Sequence, residues 1–324
     1  MTPLQANLLL LLAAAIWGFA FVAQRVGMLH IGPFTFNAIR FGLGALSLLP
    51  LIRATRGRRR HTERVGGHRS LGRLFLAGLA VGVVLFAAAS AQQIGIVTTT
   101  AGKAGFITGL YVVLVPLLAL VWGERASWAT WIGAVLAVVG LYFLSVTERF
   151  TLAPGDAWVL LSAVLWAVQI QLIAHFTRSV DPLPLATMEF AVCSVLSWIT
   201  ALLTEPIAWV GIQAALWPLL YGSFMSVGIA YTLQVVAQRH ARPTPAAIIM
   251  SLESAFAALG GWLLLDEQLG ARSALGAALM MVGMILAQIR AGQTRRQGTV
   301  PAAGPDGEVA QAYVRQQQDV ASVR

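Results

Sequence analysis

The sequence predicts an all-α integral membrane protein: ten transmembrane helices forming two inverted five-helix repeats. Three observations carry that expectation. Hydrophobic residues make up 58% of the chain and charged residues 11%, with a mean hydropathy of +0.75, whereas a soluble domain is about half apolar and a quarter charged. The apolar residues gather into segments long enough to cross a hydrocarbon core about 30 Å thick, which takes roughly 20 residues of helix. The second half of the chain also repeats the pattern of the first.

Hydropathy gives ten segments, at about 6–24, 33–52, 72–92, 101–122, 128–146, 156–176, 183–203, 213–235, 244–265 and 271–290. The first could be mistaken for a secretory leader, since Leu8–Ala15 is apolar. No basic residue precedes it, however, and the apolar run continues through Val22, so it is expected to be retained as a span. Between segments two and three lies an arginine-rich loop, 53–73, with Arg53, Arg56, Arg58, Arg59, Arg60, Arg64, Arg69 and Arg73. Cytoplasmic loops carry the excess of basic residues. Placing this loop inside leaves 17 of the 22 basic residues on the cytoplasmic side and only Arg25, Arg149 and Arg272 opposite; Arg40 and Lys103 fall within spans.

Both termini are then cytoplasmic, and a bacterial inner membrane is the expected location. The net charge of +9 reads as orientation rather than as a nucleic-acid surface. The tail, 291–324, is rich in Gln, Gly, Ala and Arg with few large apolar residues, and is expected to be disordered. The single cysteine, Cys193, rules out an internal disulfide and a multi-cysteine metal site.

Self-comparison defines the repeat. A shift of 149 residues lays Ala14-Ala15-Ile16-Trp17 on Ala163-Val164-Leu165-Trp166, Pro33 on Pro182 and Phe41 on Phe190, and a shift of 143 lays Glu124 on Glu267, Gly133 on Gly276 and Gly140 on Gly283. The offsets differ because the arginine loop lengthens the first half. The expected units are therefore 1–146, 147–290 and the tail. Five spans is an odd number, so the second unit enters the membrane inverted, a plan that lets two related bundles alternate access to a site near the midplane.

Segment four has the most unusual composition. Gly102, Gly105 and Gly109 are spaced to let neighbouring backbones approach, Lys103 is the lone charge, and Pro116 removes a ladder hydrogen bond. It reads as one spanning helix that can bend at the proline. The alternative is a plain packed helix whose lysine snorkels.

These residues resemble the drug/metabolite transporter superfamily, in its EamA-type ten-span branch. The resemblance is carried by AAIWGFAFVAQ (Ala14–Gln24), PFTFNAIRF (Pro33–Phe41), TTAGKAGFITGLYVVLVPLL (Thr99–Leu118), WGE (Trp122–Glu124), GAVLAVVG (Gly133–Gly140), SLESAFAALGGWLLLDEQLG (Ser251–Gly270) and GAALMMVG (Gly276–Gly283). It implies spans 1–4 and 6–9 around a central cavity, spans 5 and 10 at the periphery, and outward movement of small metabolites, amino acids among them. One departure is Leu259 at the repeat position of Pro116. The function expected is a secondary transporter moving a small metabolite by alternating access, in the direction of efflux and coupled to protons. The alternative is a facilitator, uptake carrier or channel. The partners expected are a small-molecule substrate and the lipid bilayer, with the oligomeric state left open.

Ionisable residues inside a bilayer cost at least ~2.5 kcal/mol at the centre and mark function. Glu253 lies nine residues past Thr244 and so at mid-depth; it reads either as the group that binds a proton or a substrate amine, or as a structural acid between helices. Arg40 and Glu189 are repeat mates, each seven residues after its proline, and read as two gates or as packing groups within their own repeats. Lys103 either snorkels or attracts a carboxylate. Trp17, Trp166, Tyr111, Asn37, Gln92, Gln93, Gln169, Gln171 and Gln234 are cavity candidates or helix glue. Glu124 and Glu267, beside Arg125 and Arg272, read as span-end caps. No enzyme is expected: the chain has no HExxH and no GxSxG, and Ala-Gly-Lys-Ala at 101–104 fails as a P-loop, with Val97 and Ala104 at its required Gly and Ser/Thr positions. Neither cofactor nor metal is expected.

Overall fold

A computed structural model describes residues 1–59, 67–98, 101–121, 127–145, 154–265 and most of 270–286. The centre of the arginine loop, Glu124, Arg125, Arg149, Glu267 and the tail lie outside the described residues, with the expectations placed on them.

The described chain is helical: α1 (Pro3–Gly27), α2 (Pro33–Arg59), α3 (Gly67–Thr98), α4 (Ala101–Gly109), α5 (Tyr111–Val121), α6 (Trp128–Ser145), α7 (Pro154–Phe176), α8 (Pro182–Thr204), α9 (Trp209–Ala214), α10 (Leu216–Leu220), a π-helical stretch Tyr221–Tyr231, α11 (Thr232–Gln238), α12 (Pro243–Met250) and α13 (Glu253–Leu265). Seven stretches are long and apolar enough to cross a membrane, and Ile107–Leu120, Trp128–Phe143 and Ala274–Gly283 are shorter apolar helices, so the ten expected spans are all represented. Proline opens α1, α2, α7, α8 and α12, where its missing N–H would be an orphan anyway. Thr2 and Gln5 close a capping box on α1. The start of α2 is capped from a distance: the Glu205 carboxylate, just past α8, accepts from Phe34 N and Thr35 N at 2.8 Å each and from Thr35 Oγ1 at 2.6 Å.

Segment four departs from the single bending helix read from its sequence. It is interrupted at Leu110, six residues before Pro116, and runs unbroken through the proline. A proline ring crowds the carbonyl four residues earlier, here Val112 in the first turn of α5, and Gly109, which directly precedes the break, holds helical geometry least. The chain tightens there, with Leu110 N bonded to Ile107 O at 3.2 Å and Val113 N to Leu110 O at 3.0 Å. Segment nine breaks close to the same register, between α12 and α13, with Leu252 N on Ile249 O and Ser254 N on Ser251 O, both at 3.2 Å. Under the 143 shift Leu110 is the mate of Glu253, the residue just past the break at Ser251 and Leu252, so the two breaks lie one to two residues apart in the repeat register.

Packing follows the repeat. The mates α2 and α8 lie against each other; α3 packs on α7 as α1 packs on the π-helical stretch and α11; α1 packs on α13 as α7 packs on α4 and α5. Small residues set the closest approaches. At Gly18 an added Cβ would meet Phe256 and lie 2.7 Å from both Ala257 N and Glu253 O. At the periphery, a Cβ at Gly140 would lie 2.5 Å from Gly276 O and one at Gly283 2.6 Å from Gly133 O. These are the glycines that defined the repeat, in crossed contact between spans 5 and 10.

Candidate functional site

Between the two repeats lies a cavity of about 470 Å³, its mouth included, lined by α1, α2, α3, α4, α5, α7, the π-helical stretch, α11, α12 and α13. Of the residues singled out from the sequence, Trp17, Arg40, Gln92, Tyr111, Trp166, Gln169, Gln234 and Glu253 line it. Glu189 is fully buried but lies behind the wall, near Gln169. Asn37, Gln93 and Gln171 are not part of the lining: Gln171 Nε2 donates to Val115 O at 3.0 Å, and Gln93 Nε2 reaches Met28 Sδ at 3.6 Å. Lys103 belongs to α4, and its side chain lies outside the described residues.

Glu253 opens α13 at the break in segment nine, and the hydroxyl of Tyr111, which opens α5 at the break in segment four, is its hydrogen-bonding neighbour. The two interruptions thus bring their first residues together across the pseudo-symmetric interface. Beside them Gln92 Nε2 donates to Thr108 Oγ1 at 3.1 Å, and Ser254 Oγ ties α13 to Gly105 O of α4 at 2.8 Å.

Another part of the lining is aromatic. Tyr231 stands at its centre with ring centroids 4.7 Å from Trp17 and 5.9 Å from each of Trp166, Phe41 and Phe190. Trp17 and Trp166 are repeat mates, as are Phe41 and Phe190, so Tyr231 sits where the two repeats meet. Its own mate under the 143 shift is Ala88. Trp17 Nε1 donates to Ser226 O in the π-helical stretch at 3.3 Å and Tyr221 Oη donates to Ile16 O at 3.0 Å, clamping α1 to it. Wide helical turns of this kind concentrate at functional sites.

Arg40, 1% exposed, lies over Phe41 at 4.7 Å and Phe36 at 5.5 Å. Such contacts return ~0.5–2 kcal/mol, while Nε and Nη2 of Arg40 have no hydrogen-bond partner. Unmet buried groups cost ~1–3 kcal/mol each and more when charged. Trp166 Nε1, Gln24 Oε1 and Gln234 Oε1 are likewise buried without a hydrogen-bond partner.

Tyr231, Phe21, Gln24, Thr108, Ile170, Ser226 and Met250 complete the wall without having been singled out from the sequence. Phe21 and Ile170 are mates under the 149 shift, and applying the shift to every position near Trp17 would have found both. Tyr231 has no such signal, since its mate is an alanine.

Inverted bundles around a buried, chemically mixed cavity define an integral membrane transporter. The chain belongs to the EamA-like transporter family, whose model matches residues 4–146 and 153–288, and hence to the drug/metabolite transporter superfamily. An Archaeoglobus fulgidus protein described as an uncharacterized transporter is 32% identical over 288 residues, covering 89% of this chain and 87% of its own length. The uncharacterized transporter YoaV of Bacillus subtilis is 21% identical over 282 residues, covering 84% and 92%. A Synechocystis uncharacterized transporter, sll0355, is 25% identical over 305 residues, covering 88% and 90%. A protein of known crystal structure shares the fold, with a TM-score of 0.72 at 20% identity over 89% of this chain and 98% of its own.

Proposed function

We propose that the protein is a secondary transporter that moves a small zwitterionic metabolite of the amino-acid class outward by alternating access, coupled to protons. One observation supports this reading above others: a guanidinium, Arg40, and a carboxyl group, Glu253, come from different repeats to line one cavity, and Arg40 keeps two N–H-bearing atoms without a partner. A planar guanidinium suits a carboxylate bidentately. Glu253 suits an ammonium group or a proton, and the aromatic wall around Tyr231 suits the apolar part of the solute. Burial in a low dielectric disfavours the charged form of a carboxyl group, which lets such a group take up and release a proton as its surroundings change.

Reconstituted protein should show saturable counterflow of at least one member of an amino-acid panel, and its overproduction should raise tolerance to a toxic analogue. If Glu253 carries the proton, Glu253→Gln abolishes transport driven by a pH gradient and preserves exchange. If it holds the amine, the same change abolishes both. Wild-type pH-driven transport by the variant removes Glu253 from either role.

The arginine distribution supports an orientation with both termini in the cytoplasm of a bacterial inner membrane. With Cys193 replaced, a cysteine at Gly67 should be shielded from an impermeant thiol reagent in intact cells and one at Gly211 labelled. The reverse pattern inverts the topology.

A further inference from the structure

The repeat mates α2 and α8 pack on each other and run in opposite directions, Thr35 meeting Glu205 and Ala38 meeting Ser194. The pseudo-twofold axis that relates the repeats therefore passes through their seam. At the middle of the seam Phe41 and Phe190, mates under the 149 shift, stand with ring centroids 6.1 Å apart, and Ser194 Oγ donates to Ala38 O at 2.7 Å. Gly42 lets the helices close there, as small residues do between helices in lipid: an added Cβ would lie 2.9 Å from Ser194 Oγ and 3.8 Å from Ser194 Cβ.

Inverted repeats give alternating access by exchanging the conformations of the two bundles, and under that exchange every contact passes to the mates of the residues that made it. A contact away from the axis becomes a different one: α1 on α13 becomes α7 on α4 and α5. The clasp of Glu205 on Thr35 is carried to the far end of the seam, where Arg56 and Pro184 hold the corresponding positions, so the two ends differ in chemistry. The centre behaves otherwise. Phe41 and Phe190 are carried onto each other, and the Gly42–Ser194 contact onto Ala45 and Ala191, within one turn of where it began. A contact that the exchange returns to itself keeps its partners in both states.

We infer that α2 and α8 cross at a fixed pivot, Gly42 against Ser194 and Phe41 against Phe190, which stays closed in both access states while the repeats rock about it. The inference rests on the alternating-access reading.

A reversible cross-link at the pivot tests it. A disulfide needs a Cβ–Cβ separation of about 3.8 Å, which is the spacing found between an added Cβ at Gly42 and Ser194 Cβ. The full chain carrying Gly42→Cys and Ser194→Cys, with Cys193→Ala to remove the native thiol, is oxidised in proteoliposomes, and closure is verified by mass after alkylation. Amino-acid counterflow should stay within about twofold of the reduced form. Loss of counterflow on oxidation, restored by reduction, overturns the pivot. Access is read separately through Thr108→Cys, which lines the cavity, by labelling with an impermeant maleimide in intact cells and in inverted membrane vesicles. Labelling from both sides should survive oxidation of the pivot pair; labelling that oxidation confines to one side overturns the inference. If Thr108→Cys without the pivot cysteines is reached from one side only, alternating access itself fails and takes the pivot with it. If no amino acid is exchanged but two-sided access survives oxidation, the solute class fails and the pivot stands. Should the cysteine pair prevent folding, spin labels at Leu46 and Val195, both exposed on α2 and α8, should report one separation in acid and in alkaline buffer, and two populations overturn the pivot.

Discussion

Segments four and nine are the same element built twice, and they differ where it matters. Both are interrupted within two residues of one repeat position and begin again with a residue that lines the cavity: Tyr111 on α5 and Glu253 on α13. The backbone is therefore nearly symmetric, while the chemistry at the break is not. Segment four disturbs its helix with Gly109 and Pro116. Segment nine has no proline past its first turn and breaks with Ser251 and Leu252, so two different sequences reach one geometry. A shared distortion produced by unrelated means points to a requirement of the fold, and the unshared carboxyl group points to a requirement of the task. Two bundles that exchange conformations need matching joints; a bound proton or amine needs only one carboxylate.

The comparison can be broken most directly by giving segment four the acid. Leu110 is half-buried and packs against Phe21, Ile96, Ala104, Ile107 and Val159. Leu110→Glu puts a carboxyl group into that cluster and should cost about 3 kcal/mol, read as a large fall in the thermal midpoint of detergent-purified protein. A midpoint equal to wild type would mean that the position accepts an acid in either repeat, and the asymmetry would then say nothing about function. Next in size is the joint with α1. Gly18→Ala drives a methyl group into the α13 backbone beside Glu253 and should cost about 2 kcal/mol, with a fall in the yield of monodisperse protein. Smallest is a contrast within α4. An added Cβ at Gly109 lies 3.0 Å from Leu141 and 3.1 Å from Ser254 Oγ, but at Gly105 the nearest atom is 3.9 Å away. Gly109→Ala should lower the midpoint measurably and Gly105→Ala should leave it unchanged or raise it slightly, since alanine is the better helix former. Equal losses at the two positions would show that α4 packs more tightly along its length than at its broken end.

The architecture was legible because the bilayer permits few alternatives: apolar runs of fixed length, basic loops and the twofold register of Trp, Pro and Gly leave little room for another fold. Eight of the singled-out side chains line the cavity because polar and aromatic residues are conspicuous in apolar spans. What stayed hidden depends on distances between segments. Nothing in the sequence couples Glu205 to the start of α2, since a loop acid looks like any solvated charge until the fold brings it to Phe34 and Thr35. Tyr231 could not be found from symmetry, because it fills a place its mate leaves empty. The break at Leu110 was read at Pro116, where the cause is visible, rather than a turn and a half earlier, where the chain yields. Gln171 and Gln93 were drawn into the candidate set by composition alone and turned out to bond a neighbouring backbone and a methionine sulfur.

The crossed glycine contacts between spans 5 and 10 carry a consequence for ancestry. Gly140 meets Gly276 and Gly283 meets Gly133, and the 143 shift exchanges one contact for the other, so the patch is self-complementary in the manner of an isologous dimer interface. A half-length polypeptide would therefore offer to a second copy of itself, threaded through the bilayer upside-down, the same face that its fused sibling now occupies. Duplication and fusion would have had no new interface to invent at this seam. They would only have fixed its stoichiometry, freeing each copy to acquire what the other lacks.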